Sequence, residues 1–528
     1  MRKNGNGLPD SGQKPEKQKK QRQKKNSPER AGQGQDSKSA EKQSGSSISP
    51  NKAGGKKNHE LAVVTYLFIG LFTLMIGYFV YFESILSEDV INNPYNSRQD
   101  AFAEKVVRGS ILADDGTVLA ETKVAKDGTE TRVYPYANVF AHVVGYSDRG
   151  RTGIENLANF SLLTSDISTV EQIQNDINQQ KDQGNNVVTT LNVELQQTAY
   201  SALGNSRGAV VVLEAETGKV LAMVSKPDFD PGTINEDWDA LTAEDDTDSA
   251  LYNRAAQGLY PPGSTFKIVT LLEYMRENPD YADFSFQCRG SLTEGNYTIN
   301  CYGGTVHGQE DLTEAFARSC NSAFAAIGLS LDETRLADTC ESLLFNSELP
   351  FDLTYSRSSF ALEDGSTPAE RMMTAIGQGE TVVSPLHMAM IVESIANDGV
   401  LMEPYVLDHV ESYSGNTVDT YSPTRYGEVM TAEEAEALTE YMKAVVEDGT
   451  ARSLNDLGFS IAGKTGTAEY SSDKSKSHAW FAGFSDTGDS DIVVCVLVEE
   501  KGSGSEYAVP IAKQIFSVWY AQQNSLWQ

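Results

Sequence analysis

The chain has 528 residues and a formal net charge of -31, with 39% of its residues hydrophobic. That is too long for one ordinary domain and enough for two or three with sizeable cores. Residues 1–60 hold 15 Lys+Arg against 6 Asp+Glu, leaving 28 against 68 in the rest. The acidic body lacks the clustered cations that phosphate contacts need, which excludes a nucleic-acid binder, and a basic head on it points to a boundary between compartments.

Residues 1–60 are rich in Lys, Gln, Ser, Gly and Asn and read as a disordered basic cytoplasmic tail. Leu61 to Phe82 carries no charge and is long enough to span a bilayer as a helix. Lys56 and Lys57 precede it and Glu83 follows. The positive-inside rule then places the N-terminus in the cytoplasm and residues 83–528 outside. The apolar stretch is too long for a signal-peptide core and no small-x-small site follows it, so an uncleaved signal anchor is expected.

Asn92-Asn93-Pro94-Tyr95-Asn96 is a turn-rich link. Val106 to Ala120 reads as two short strands around Asp115-Gly116, and Val170 to Gln183 as a polar helix ended by Gly184-Asn185-Asn186. Nothing in 83–190 gathers nucleophiles or paired acids, so it is expected to be a small membrane-proximal α+β pedestal. In 191–528, Leu195–Leu203 looks helical. Gly208–Leu213 and Lys219–Val224 form an antiparallel hairpin signal. Ala479–Phe484 and Ile492–Val498 are further strand candidates, and Thr431–Glu447 and Ile511–Gln522 read as helices. Strands at both ends with helices between predict an α+β domain, one antiparallel sheet closed by the chain's ends beside a helical lobe.

Of the five cysteines, none forms a CxxC pair. Cys288 and Cys301 flank a short polar segment and suit either a disulfide loop or separately buried thiols. The six histidines have no metal-ligand spacing, so no metal and no cofactor are expected.

The chemistry lies in three segments. Pro261-Pro262-Gly263 is a helix entry that puts Ser264 in a first turn, its N–H unpaired and suited to an oxyanion hole. Lys267, three residues on, shares its face. A serine hydroxyl is a weak nucleophile until a base takes its proton. Burial or a second cation, such as Lys464, makes lysine that base. Ser-x-x-Lys also occurs at Ser11, Ser39, Ser49 and Ser471, all in polar stretches; only the Ser264 copy has an apolar helix. The bland alternative is a helix start with a solvated lysine. Ser319-Cys320-Asn321 supplies a hydroxyl to relay protons and an amide to bind a substrate amide, or is merely a turn. Lys464-Thr465-Gly466-Thr467 reads as a strand: Lys464 and Thr465 hold a carboxylate, Gly466 lets substrate lie close, and the Thr467 N–H is a second oxyanion donor. Gly458 to Thr465 also matches the phosphate-loop pattern of nucleotide-binding proteins. Against that alternative, Asp456-Leu457-Gly458 precedes it, and a polar, Ser-rich stretch follows where a helix should open.

In this order and spacing, Ser-x-x-Lys, Ser-x-Asn and Lys-Thr-Gly resemble the penicillin-binding transpeptidases. Asn253-Arg254-Ala255, Tyr260, Gly377-Gln378-Gly379, Ser384-Pro385 and His478-Ala479-Trp480-Phe481 look like other family segments. Arg108-Gly109 and Asp115-Gly116 resemble the membrane-proximal module of class B members. The resemblance implies the penicilloyl-serine transferase fold and D,D-transpeptidation of peptidoglycan. Ser264 would attack D-Ala-D-Ala stem peptides and be trapped by β-lactams. It implies a bacterial cell-membrane setting and, as partner, a polytopic glycan polymerase of the shape, elongation, division and sporulation family. Residues 83–190 are too short for a glycosyltransferase domain, which selects the monofunctional class. A D,D-carboxypeptidase or β-lactamase of the same fold, and a catalytically silent cell-wall scaffold, remain as alternatives. The middle residue of Ser319-Cys320-Asn321 is more often Ser or Asp in the family, and its side chain is expected to point away from substrate.

Overall fold

The computed structural model describes residues 59–82, 103–243, 248–469, 477–488 and 490–526. Residues 1–58 of the basic tail and the Asn92–Asn96 link lie outside them. The chain divides near Gly77 into two units. In the first, the apolar run forms helix His59–Tyr81. Ala62–Tyr81 has a mean hydropathy of 2.1 and no buried residue. At 1.5 Å per residue the helix is about 35 Å long, enough to cross the apolar layer of a bilayer.

In the second unit, Ile111–Leu112 and Val118–Val124 pair antiparallel around the Asp-Gly turn. The turn is closed by Ala113 N–H to Thr117 O at 2.8 Å, with Asp115 Oδ1 accepting the Thr117 N–H. The polar helix runs only from Thr169 to Asn178, started by a Ser168–Glu171 capping box. It stops short of the expected end because Gln179 turns left-handed and Asp182–Gln183 pairs instead with Val106–Val107. The sheet here has six strands, ordered Thr417–Thr420, Leu407–Glu411, Asn186–Thr189, Ile111–Leu112, Val118–Val124 and Glu130–Val133. Two of them come from late in the chain. The carboxylate of Glu155 is fully buried under this sheet, between Arg108 at 2.6 Å and Arg132 at 2.7 Å.

A second sheet has five antiparallel strands, ordered Ile461–Glu469, Ser477–Ser485, Ile492–Val498, Gly208–Glu214 and Val220–Lys226. The expected hairpin and late strands are all present, and the chain's ends meet at its centre, where Val498 pairs with Gly208. Gly208–Leu213 and Ile492–Val498 within it are apolar without alternation and buried, as happens when both faces are covered. Helices Val193–Leu203, Pro385–Ala396 and Val509–Leu526 pack on it. The helical lobe includes Lys267–Glu277, Asn321–Ser330 and Ala432–Glu447.

Candidate active site

Pro262 leads into a tight turn, Gly263–Phe266, that opens directly into the helix Lys267–Glu277. Gly263 has φ +54, and a Cβ there would stand 2.8 Å from the Thr467 carbonyl oxygen. Only glycine allows both that backbone and that approach, which seats the turn on the edge strand. The Ser264 side chain is half-buried beside it.

Lys267 is fully buried on the next turn. Its Nζ donates to Ser319 O at 2.9 Å, Ser319 Oγ at 3.2 Å and Asn321 Oδ1 at 2.8 Å. Lys464 Nζ donates to the same Ser319 Oγ at 3.0 Å and to Thr465 O at 3.2 Å. Two amines therefore converge on one hydroxyl. Burial is the main cause that brings Lys267 down to about 7. Burial, then the Lys267 charge, pushes Lys464 well below its ordinary range. Of the two expected causes, burial is the one that lowers Lys267, while the effect of a second cation falls on Lys464 instead.

Ser319 has φ +57, a left-handed backbone rare outside glycine. It is held there by Ser319 N–H to Phe316 O and Cys320 N–H to Ala315 O. Asn321 donates its amide to Asn300 O at 3.0 Å while accepting from Lys267. The Asn321 side chain thus ties the lysine to the end of strand Tyr297–Asn300, a duty the sequence did not suggest.

Lys464–Thr467 lies in the outermost strand, with Lys464 opposite Ala482 and Thr467 opposite Ala479. The phosphate-loop alternative fails on this geometry, since Gly458 is a left-handed turn and the motif continues as strand rather than opening a helix. The Thr467 carbonyl receives Gln378 Nε2 at 3.3 Å, so it faces away from the neighbouring strand. In a strand one residue's N–H and C=O point to the same side, so the Thr467 N–H also faces the open edge. A Cβ on Gly466 would meet Pro262 O and Trp480 Cβ at 3.0 Å, so the glycine makes room for the turn that carries Ser264. Thr465 Oγ1 is bonded to Thr450 Oγ1 at 2.5 Å. Further residues brace the approach to Ser264. Trp480 Nε1 donates to Pro261 O at 3.1 Å, and Glu499 accepts from Tyr260 at 2.7 Å, Arg254 at 2.9 Å and Arg207 at 3.0 Å.

Of the two alternatives for Cys288 and Cys301 the structure has the separately buried thiols: all five cysteines are free, and these two sulfurs stand 3.6 Å apart. The spacing that gave no reason to expect a metal hides a cluster. Cys288, Cys301, His307 and Cys320 place their donor atoms within 4.8 Å of one another. Their separations match no short motif, and tertiary folding alone assembles them. Cys320, between Ser319 and Asn321, turns into this cluster.

A family signature described as the penicillin binding protein transpeptidase domain matches residues 208–517, and one described as the penicillin binding protein A dimerisation domain matches 108–187. The chain belongs to the penicillin-binding protein family, with class B members among its structural neighbours. The chain is similar to the peptidoglycan D,D-transpeptidase PbpA of Mycolicibacterium smegmatis, 33% identical over 77% of this chain and 87% of the relative. Among solved structures it resembles the D,D-transpeptidase domain of a peptidoglycan glycosyltransferase from Eggerthella lenta (TM-score 0.71, 32% identity, 79% of this chain and 98% of that one). It also resembles the ceftriaxone acyl-enzyme complex of penicillin-binding protein A from M. tuberculosis (TM-score 0.72, 28% identity, 79% and 99%).

Proposed function

We propose that this chain is a monofunctional peptidoglycan D,D-transpeptidase that cross-links stem peptides through an acyl-enzyme on Ser264. The observation that carries the reading is the Ser319 hydroxyl held between two buried lysines beside the nucleophile turn. Neutral Lys267 takes the Ser264 proton as Oγ bonds to the carbonyl carbon of the penultimate D-alanine. The oxyanion that forms rests on the N–H groups of Ser264 and Thr467. Ser319 passes a proton to the departing D-alanine nitrogen and is reprotonated through the lysines. An acceptor amine from a neighbouring stem then reverses these steps and leaves a new amide. Lys464, Thr465, Gly466 and Thr467 line the side where the substrate's carboxylate and backbone lie, and Asn321 faces its amide. β-Lactams follow the first half of this course and stop at the acyl-enzyme. The relative from M. smegmatis bears the name of this activity, and several solved neighbours are β-lactam acyl-enzymes.

The helix His59–Tyr81 serves as the single membrane anchor, with the N-terminus cytoplasmic and the catalytic domain extracytoplasmic. Residues 83–190 act as the pedestal and 191–528 as the transpeptidase domain. A polytopic glycan polymerase is the expected partner. Full-length protein in detergent, treated with benzylpenicillin and followed by intact mass, tests the reading. One stable adduct, absent from Ser264→Ala, is the expected result. An adduct that forms and quickly vanishes would indicate a β-lactamase, and no adduct on folded protein would remove the catalytic reading.

A further inference from the structure

Cys288 sits on strand Ser285–Cys288, which pairs antiparallel with Gly308–Asp311. Cys301 directly follows the hairpin of strands Ser291–Glu294 and Tyr297–Asn300, and Cys320 caps helix Asn321–Ser330. Cys288 Sγ lies 3.6 Å from Cys301 Sγ, Cys301 Sγ lies 3.8 Å from Cys320 Sγ, and His307 Nδ1 lies 3.4 Å from Cys288 Sγ. A disulfide requires sulfurs about 2.05 Å apart. A tetrahedral zinc ion, with bonds of about 2.3 Å to sulfur and about 2.0 Å to nitrogen, separates its ligands by about 3.8 Å (S to S) and about 3.5 Å (S to N). These three separations match that tetrahedron, and all four donor atoms lie within 4.8 Å of one another.

The surroundings fit as well. Each sulfur has a donor: Gly290 N–H on Cys288 at 3.4 Å, Ala323 N–H on Cys320 at 3.5 Å, and the Ser322 hydroxyl 3.1 Å from Cys301. Donors of this kind stabilise metal-bound thiolates. Beside them is Glu310, only 1% exposed, whose two carboxylate oxygens have no hydrogen-bond partner. The nearest basic groups are His307 Nδ1 at 3.9 Å and the Arg318 guanidinium at 4.0 Å. A buried carboxylate without partners is costly unless a cation stands near. The three cysteines are buried, whereas His307 is half-buried and offers an entry path.

We propose that Cys288, Cys301, His307 and Cys320 form a structural site for a soft divalent metal ion, zinc by its three-thiolate, one-imidazole donor set, with Glu310 in its outer shell. Cys320 lies between Ser319 and Asn321, so the ion clamps the Ser-x-Asn turn to the hairpin and the ribbon that hold Cys288 and Cys301. The assignment does not depend on the transpeptidase reading, because its readout is the metal.

The test uses full-length protein purified in detergent under reducing conditions, with metal content measured by plasma mass spectrometry. The protein is then stripped with chelator and reloaded with Co2+. One zinc per chain is expected, with a thiolate-to-cobalt charge-transfer band and the visible bands of a tetrahedral centre. Cys288→Ser and His307→Gln should each weaken Co2+ binding at least tenfold, Glu310→Gln less, and Cys340→Ser and Cys495→Ser not at all. Should a ligand variant fail to fold, the wild-type cobalt spectrum decides, since its charge-transfer intensity counts the thiolates. Reduced, folded wild-type protein that keeps no zinc and gives no cobalt band would overturn the assignment. So would an intact mass lower by two hydrogens with a Cys288–Cys301 disulfide peptide from protein purified without reductant.

Discussion

Glu499 is the place where the central sheet meets the approach to Ser264, and Glu499→Gln isolates the value of its charge. The side chain is 10% exposed and accepts from Arg254, which is 3% exposed, and from Arg207, which is 36% exposed. Replacement by glutamine keeps the shape and one acceptor but strands the Arg254 guanidinium as a buried charge. Breaking one side of a buried ion pair costs about 3–5 kcal/mol. Arg254 keeps bonds to Ser249 O and Asp248 O, which puts the cost at the lower end, about 3 kcal/mol. At about 2.1 cal/mol/K of unfolding entropy per residue over residues 191–528, that corresponds to a fall in melting temperature of about 4 °C. Arg207→Gln removes a partly solvated partner and should cost only about 0.2–1 kcal/mol. Replacing Arg254 and Glu499 together by Met and Leu should recover much of the loss. Scanning calorimetry of the full-length variants reads all three. Glu499→Gln and Arg207→Gln within about 2 °C of each other would refute the argument that burial makes the Arg254 pair the dominant one.

The acylation rate with a fluorescent penicillin should rise with pH through about 7, because Lys267 acts when neutral and its proton is lost there. From pH 6 to pH 8 the neutral fraction grows about tenfold, so a flat profile across that range would remove Lys267 as the base. Gly263→Ala combines a left-handed backbone with a Cβ 2.8 Å from the Thr467 carbonyl. It should cost at least about 1–3 kcal/mol and lower the acylation rate more than it lowers stability, as stopped-flow acylation beside thermal unfolding would show. Glu155→Gln leaves Arg108 and Arg132 facing each other with their shared counter-charge gone; urea unfolding should register a loss of about 3–5 kcal/mol.

The strands of the catalytic sheet were legible because Gly208–Glu214, Val220–Lys226 and Ile492–Val498 are continuous apolar runs. Two of the three chemical segments were legible because each carries its own local signal, a Pro-Pro-Gly entry and a small-residue strand; Ser319-Cys320-Asn321, which alone reads as a turn, was legible only through the order and spacing of the set. The pairing of Leu407–Glu411 with Asn186–Thr189 was not, since short strands of mixed polarity leave their partners to tertiary packing. The same holds for the cysteine cluster, whose members lie on a ribbon, just after a hairpin, in a loop and at a helix cap. Gly466 was legible as small, yet its nearest neighbour, Pro262, belongs to a turn about 200 residues earlier in the chain. The second tie of Asn321, to Asn300, needed the fold to bring the end of a strand beside the helix cap.

The order of strands in the catalytic sheet also sets when it can be made. Gly208–Glu214 lies between Val220–Lys226, a few residues away, and Ile492–Val498, about 280 residues later. Until the later strand is synthesised, one edge of the earlier hairpin has no partner, and its Val-rich sequence is of the kind that pairs with other chains. Closure over so long a span is slow, because the loop entropy is lost before the contacts form. A chain interrupted before Ile492 therefore carries Ser264 and both lysines yet lacks the strand that joins Ser477–Ser485 to Gly208–Glu214 in one sheet, and aggregation is its expected fate.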